Sequence, residues 1–138
     1  MYTAHYPRKH INTVDTLIHQ RTAAVVFPGC NLGRGTASCM DQFVVVIEPG
    51  ARSIQTYTRI KSLARDIGIT RVRVVANKIR DDSDREFIRS RIPEEDLLGF
   101  ISYNPEVIEA DRKGLSPYDC SPSALEEIRI IKAKLDEK

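Results

Sequence analysis

The chain has 138 residues, 41% of them hydrophobic and 29% charged, the ordinary balance of a globular domain with one core. A net charge of +2 is too small to draw in a nucleic acid or a membrane surface by electrostatics alone, and no apolar run approaches the ~20 residues of a membrane span. Met1 to Arg8 hold no apolar stretch of signal-peptide length, so the expectation is a cytoplasmic protein.

Residues 1–12 are polar and irregular, and a short helix is expected over 13–20, where Val14, Leu17 and Ile18 recur at helical spacing. Ala23-Ala24-Val25-Val26-Phe27 is a compact apolar run stopped by Pro28-Gly29 and reads as a buried strand. A loop containing Gly33-Arg34-Gly35-Thr36 leads to Phe43-Val44-Val45-Val46-Ile47, which is β-branched and continuous rather than alternating. A strand apolar on both faces belongs inside a parallel sheet covered by helices. Ile54, Tyr57, Ile60, Leu63, Ala64 and Ile67 then keep a helical period, with Ser53 placed to cap the N-terminus and Gly68 to supply a left-handed stop.

Val72 to Ala76 is the next strand. A charged helix over 83–90, starting at Ser83 or Asp84, precedes a strand at Leu97 to Ile101. Pro105 opens a helix that ends at Gly114, and Ser121-Pro122 opens the last one, with Leu125, Ile128, Ile131 and Leu135 on one face. Strands alternating with helices build right-handed crossovers. The fold class is therefore α/β: a mostly parallel sheet flanked by helices.

Ligands of open parallel sheets bind beyond the carboxyl ends of the strands. Three polar loops fall there: Glu48-Pro49-Gly50-Ala51-Arg52-Ser53, Ala76-Asn77-Lys78 and Ser102-Tyr103-Asn104-Pro105. The first and third run straight into helix N-termini, which attract anions. The Asn77 amide offers a donor and an acceptor together, which suits the edge of a purine, and the Lys78 stem can cover a ring face. The bland reading is a turn-forming asparagine beside a solvated lysine.

Other groupings point to no chemistry. Cys30, Cys39 and Cys120 are odd in number and lack any CxxC spacing, which argues against a disulfide framework and a zinc knuckle. His5, His10 and His19 lie off any i,i+4 pattern and read as surface histidines. Asp81, Asp82 and Asp84 read as a solvated helix start interleaved with Arg80 and Arg85, not a cation site. The basic middle, Arg71 to Arg91, has only Phe87 among its charges, so no nucleic-acid role is expected.

The stretch from Leu32 to Asp119 closely resembles the distal half of the CooC-type accessory ATPases of carbon monoxide dehydrogenase, within the MinD-like P-loop family. The segments responsible are Leu32-Gly33-Arg34-Gly35-Thr36, Val44 through Glu48-Pro49-Gly50-Ala51-Arg52-Ser53-Ile54-Gln55-Thr56, and Val74-Val75-Ala76-Asn77-Lys78. A fourth runs from Leu98-Gly99-Phe100-Ile101 through Asn104, Val107, Glu109-Ala110-Asp111 and Gly114. On this resemblance 32–138 is the C-terminal half of a nucleotide-binding domain and 1–31 a poorly matched segment.

The resemblance implies a nucleotide-dependent maturation factor that helps deliver nickel to carbon monoxide dehydrogenase and works as a dimer. Asn77 would contact the adenine of ATP or ADP, with Lys78 flanking it. Ser102, Tyr103 and Asn104 would form a second adenine-side loop, with Val107 and Asp111 on the helix behind. Where most relatives have proline this chain has Ser102, which implies a less rigid loop.

Departures from the pattern bear on activity. No GxxxxGK[ST] occurs in the sequence, and Phe27-Pro28-Gly29-Cys30 stands where the family has an aspartate and the loop that positions magnesium and water. The paired Cys-x-Cys of the CooC branch is also missing. Phosphoryl transfer rests on positioning and charge stabilisation, and each lost electrostatic element costs at least ~10² in rate. No catalytic or metal-ligating residue is therefore assigned, and magnesium and nickel enter only through the resemblance. The expectation is a CooC-like ATP-binding accessory protein, truncated and without hydrolysis of its own. Its partners would be a second copy or a complementary ATPase half, together with carbon monoxide dehydrogenase. The alternatives are a non-catalytic interaction domain and one half of a split ATPase.

Overall fold

The computed structural model describes residues 23–26 and 41–137. Four parallel strands form one sheet in the order β1-β2-β3-β4: β1 (Ala23–Val26), β2 (Gln42–Ile47), β3 (Arg71–Ile79) and β4 (Leu97–Ser102). The helices are α1 (Ala51–Asp66), α2 (Asp82–Arg89), α3 (Pro105–Arg112), α4 (Pro117–Cys120) and α5 (Pro122–Asp136).

Continuous apolar strands give the sheet two buried faces. On one, Phe43, Val45 and Ile47 of β2 lie beside Val72, Val74 and Ala76 of β3, in register, under Tyr57, Ile60 and Ala64 of α1 and Ile88 of α2. The other face gathers Val44, Val75 and Leu98 against Ile131 of α5. Gly99 lets α5 come close, because a Cβ there would stand 2.8 Å from Ile131 Cγ1. The sheet core and the parallel α/β class agree with the sequence.

Several local expectations are corrected. Ser53 does not cap α1, which begins at Ala51 after Gly50 and has no side-chain cap; the Ser53 hydroxyl instead accepts the Glu48 N–H at 3.4 Å. The cap of α2 is Asp81, whose carboxylate takes the Asp84 N–H at 3.0 Å, so the helix starts before Ser83. Ser121 sits at the start of α5 but makes no side-chain cap to it, since Asn104 Nδ2 claims its hydroxyl at 2.7 Å. Leu63 and Ile128 point to solvent, because each stands a helical step to the side of its helix's buried stripe. Gly68 does take the left-handed conformation expected of it, with φ +86°. The helix expected over 13–20, the Gly33-Arg34-Gly35-Thr36 loop, Phe27, Cys30 and Cys39 lie outside the described residues.

The start of β4 is fastened to α1 by a small polar cluster. Tyr57 Oη donates to Asp96 Oδ2 at 2.5 Å, and Lys61 Nζ pairs with the same oxygen. Burial, followed by the hydrogen bond to Asp96, pushes the Tyr57 phenol up to about 12. The hydrogen bond to Asp96 also raises the Lys61 ammonium.

Candidate functional site

Parallel pairing brings the carboxyl ends of β2, β3 and β4 to one rim, with the starts of α1, α2 and α3 beside them. Two direct links close the rim. Tyr103 N–H donates to the Ile79 carbonyl at 2.8 Å, and Lys78 Nζ meets Glu48 Oε1 at 2.6 Å.

Asn77 and Lys78 occupy a local bulge. Ala76 pairs with Phe100 and Ile79 with Ser102, so β3 spends two residues where β4 spends one. The extra residue forces Lys78 into the left-handed region at φ +58°, the one non-glycine positive φ among the described residues. A side chain there costs roughly 1–2 kcal/mol, and bulges of this kind re-aim side chains near functional sites. Asn77 Oδ1 steadies the turn by accepting the Lys78 N–H at 2.8 Å, which leaves the Asn77 amide nitrogen as a donor with no partner among the described residues. The ion pair of Lys78 with Glu48 is more than half exposed on both sides, so its contribution to stability is small.

The Ser102–Asn104 loop is held from behind. Glu127 on α5 accepts the Ser102 N–H at 2.9 Å through one carboxylate oxygen and the Ser102 hydroxyl at 2.6 Å through the other. Asn104 caps α3 by accepting the Glu106 N–H at 2.8 Å, while its Nδ2 reaches the buried Ser121 hydroxyl. The looseness implied by a serine in place of proline is therefore countered by a carboxylate clasp. Tyr103 is 42% exposed, and the Arg80 guanidinium lies 5.4 Å from its ring centroid. Ser102 and Tyr103 share a hollow of about 310 Å³ with Ile79, Arg80, Asp81 and Arg85. A smaller one of about 170 Å³ is bounded by Glu48, Pro49, Lys78, Arg80 and Asp84.

The sequence-predicted residues thus divide. Lys78, Ser102 and Tyr103 line adjoining hollows that share Arg80. Asn77 and Asn104 stand at the rim without lining either hollow, and neither do Val107, half-buried on α3, and Asp111, exposed near its end. Sequence reading gave no site role to Glu48, Arg80 or Glu127. Glu48 lies in a loop already singled out. Glu127 leaves a trace as a carboxylate spaced i+3 from buried Ala124 and i−4 from buried Ile131.

The rim's charges are largely committed. The Asp81 carboxyl is held below the usual range, chiefly by the Asp84 N–H, and Asp84 Oδ2 accepts the Arg80 N–H at 2.9 Å. Among the described residues no three His, Cys, Asp or Glu side chains come together as metal ligands would. With Asp81 and Asp84 spent on starting α2 and Glu48 on Lys78, this donor set does not fit a magnesium ion. By contrast, α1 has neither a side-chain cap nor an acidic residue in its first turn, so its N–H groups remain the rim's electropositive element.

Comparison with known proteins places this geometry. The carbon monoxide dehydrogenase accessory protein CooC of Rhodospirillum rubrum is 43% identical over 108 residues, which cover 78% of this chain and 41% of that protein. An uncharacterized ATP-binding protein of Methanocaldococcus jannaschii is 38% identical over 104 residues, covering 73% of this chain and 40% of its own length. The chain belongs to the CooC/MinD-like P-loop NTPase family. No protein-family model matches it. The cell division protein MinD of Aquifex aeolicus superposes with a TM-score of 0.56 at 18% identity, over 74% of this chain and 47% of MinD, and shows a shared fold. A second Aquifex aeolicus structure, the MinC:MinD complex, gives a TM-score of 0.55 at 18% identity, over 73% of this chain and 45% of that one. The chain spans about two-fifths of the length of the curated CooC-like relatives it matches.

Proposed function

We propose that this chain is a CooC-like accessory domain that receives the base side of an adenine nucleotide on its carboxyl rim and does not hydrolyse it alone. The observation that carries the reading is Asn77 in its bulge at the carboxyl rim, its amide nitrogen without a partner among the described residues, within a chain 43% identical to CooC over 108 residues. The Asn77 amide would supply a donor to a purine ring nitrogen, and Tyr103 an aromatic surface on the same rim. The phosphate cradle would have to be supplied from outside these residues, since these 138 residues, and hence a second copy of them, contain no GxxxxGK[ST]. The magnesium carboxylate would have to come the same way, and no chemical step is assigned to that ion here. The served protein would be carbon monoxide dehydrogenase, through similarity to CooC, and the proposed cargo is nickel.

Calorimetric titration with ATP and with ADP tests the base-binding claim. Asn77→Ala should weaken binding about tenfold, the value of one hydrogen bond of ~1.4 kcal/mol. Absence of heat with both nucleotides would sink the proposal, and turnover by the wild type that Asn77→Ala abolishes would overturn the claim that hydrolysis needs another component.

A further inference from the structure

Away from the rim, a cleft of about 650 Å³ runs along β4. Among the described residues this strand ends the sheet, pairing with β3 on one side. Glu127 closes its last position by accepting the Ser102 N–H; the stretch Leu97-Leu98-Gly99-Phe100-Ile101 carries neither charge nor proline, and the irregularity in it is the register shift that leaves Leu98 between the Val74–Leu97 and Val75–Gly99 pairs.

The two walls of the cleft differ. On the α2 side, Arg85 and Arg89 place their guanidinium groups 5.1 and 5.3 Å from the Phe100 ring centroid. Arg89 has no ion-pair partner among the described residues, and Arg85 reaches only the fully exposed Asp82, at 3.8 Å. On the α5 side stand Ile130, 52% exposed, and buried Ile131, with Glu127 and Lys134 a turn to either side. A strand laid against β4 would turn alternate side chains to these two walls, acidic residues toward the arginines and apolar ones toward Ile130.

We infer that β4 is a docking edge for an extended segment of another protein in which acidic and apolar residues alternate. Backbone pairing would add a fifth strand, and the arginine wall would select for acid. A second copy suits the edge less well. Antiparallel pairing of two β4 strands continues each face of the sheet into the same face of the partner, which sets Arg85 and Arg89 of one copy against those of the other. The inference does not depend on nucleotide binding at the rim.

The test uses the full chain and short blocked peptides: alternating valine and glutamate, alternating valine and lysine, and the glutamate peptide N-methylated so that it cannot donate ladder hydrogen bonds. Binding is followed by amide chemical shifts and hydrogen exchange. The glutamate peptide should shift and protect the amides of Leu98 to Ile101, and should bind about tenfold more tightly than either control. Arg85→Glu with Arg89→Glu should reverse the preference toward the lysine peptide, which a misfolded variant could not do. Equal binding of the N-methylated peptide, or shifts confined to the carboxyl rim, would overturn the proposal. Sedimentation showing a dimer whose β4 amides are already protected would overturn it in favour of a second copy.

Discussion

Glu127→Ala gives a sharp test of how the second rim loop is built. The substitution removes both acceptors of the Ser102 clasp, at 2.9 Å to the N–H and 2.6 Å to the hydroxyl, in a part-buried setting. A hydrogen bond to a charged group contributes about 1.5–3 kcal/mol, and a stranded donor costs a further ~1–3. Partial solvent access lets water recover some of this, so the expected loss is about 2–4 kcal/mol, a large share of a total stability of roughly 5–15. In urea unfolding the midpoint should fall with the slope unchanged, and exchange of the Ser102 amide should speed up. Glu127→Gln keeps one carbonyl acceptor and should lose about half as much. Combined with Ser102→Ala, Glu127→Ala should show a coupling of about 1 kcal/mol. A loss under ~0.5 kcal/mol, or strict additivity in the cycle, would mean that the carboxylate is merely solvated near Ser102 and that β3 alone holds the loop.

Three further expectations follow from other contacts. Tyr57 has its folded pKa raised from 10.0 to about 12, so its contribution is fully present below pH 10 and is lost as pH rises through about 12. The displacement is worth roughly 2–3 kcal/mol; Tyr57→Phe should flatten that alkaline loss in thermal melts, and an ordinary tyrosinate titration for Tyr57 would count against the cluster. Asp81→Ala should lower the thermal midpoint and Asp81→Asn change it little, with the wild-type cap's contribution present above the usual carboxylate range and fading as acid protonates Asp81; equal losses for the two variants would show that the cap is not the cause. Gly99→Ala should destabilise by about 1–3 kcal/mol through overpacking against Ile131, and a neutral result in urea unfolding would show that α5 yields easily.

The parts of this structure legible in the sequence are those set by local pattern. The run Phe43–Ile47 is apolar at successive positions, which only a doubly covered parallel strand can bury; Val72–Ala76 is apolar but for Arg73, and the carboxyl rim follows from that topology. Caps were less legible, because they depend on which of several nearby polar groups wins. Ser53 loses the cap of α1 to an earlier start, and Ser121 loses its own to Asn104, seventeen residues away in sequence. Partners across longer separations left fainter marks. Glu127 is twenty-five residues from Ser102 and Asp96 thirty-nine from Tyr57, and no spacing rule connects such pairs.

The strain at the rim then has a physical reason. A two-residue excursion in β3 cannot be absorbed by the flat ladder, so Lys78 takes the left-handed conformation and β3 rejoins β4 at Ile79 and Ser102. Without a firm Ser102 that pairing would slip, and the simplest relief would be to straighten Lys78 and lose the bulge. The Glu127 clasp opposes this by fixing the β4 side of the pair, so the cost of the bulge is borne by a contact made by another helix. Lys78→Gly should relieve the strain and stabilise the fold by up to about 1 kcal/mol. If the bulge exists to present Asn77 and Lys78, that gain in stability will be accompanied by weaker nucleotide binding. Tighter binding by the glycine variant would mean that the bulge serves the sheet rather than a ligand.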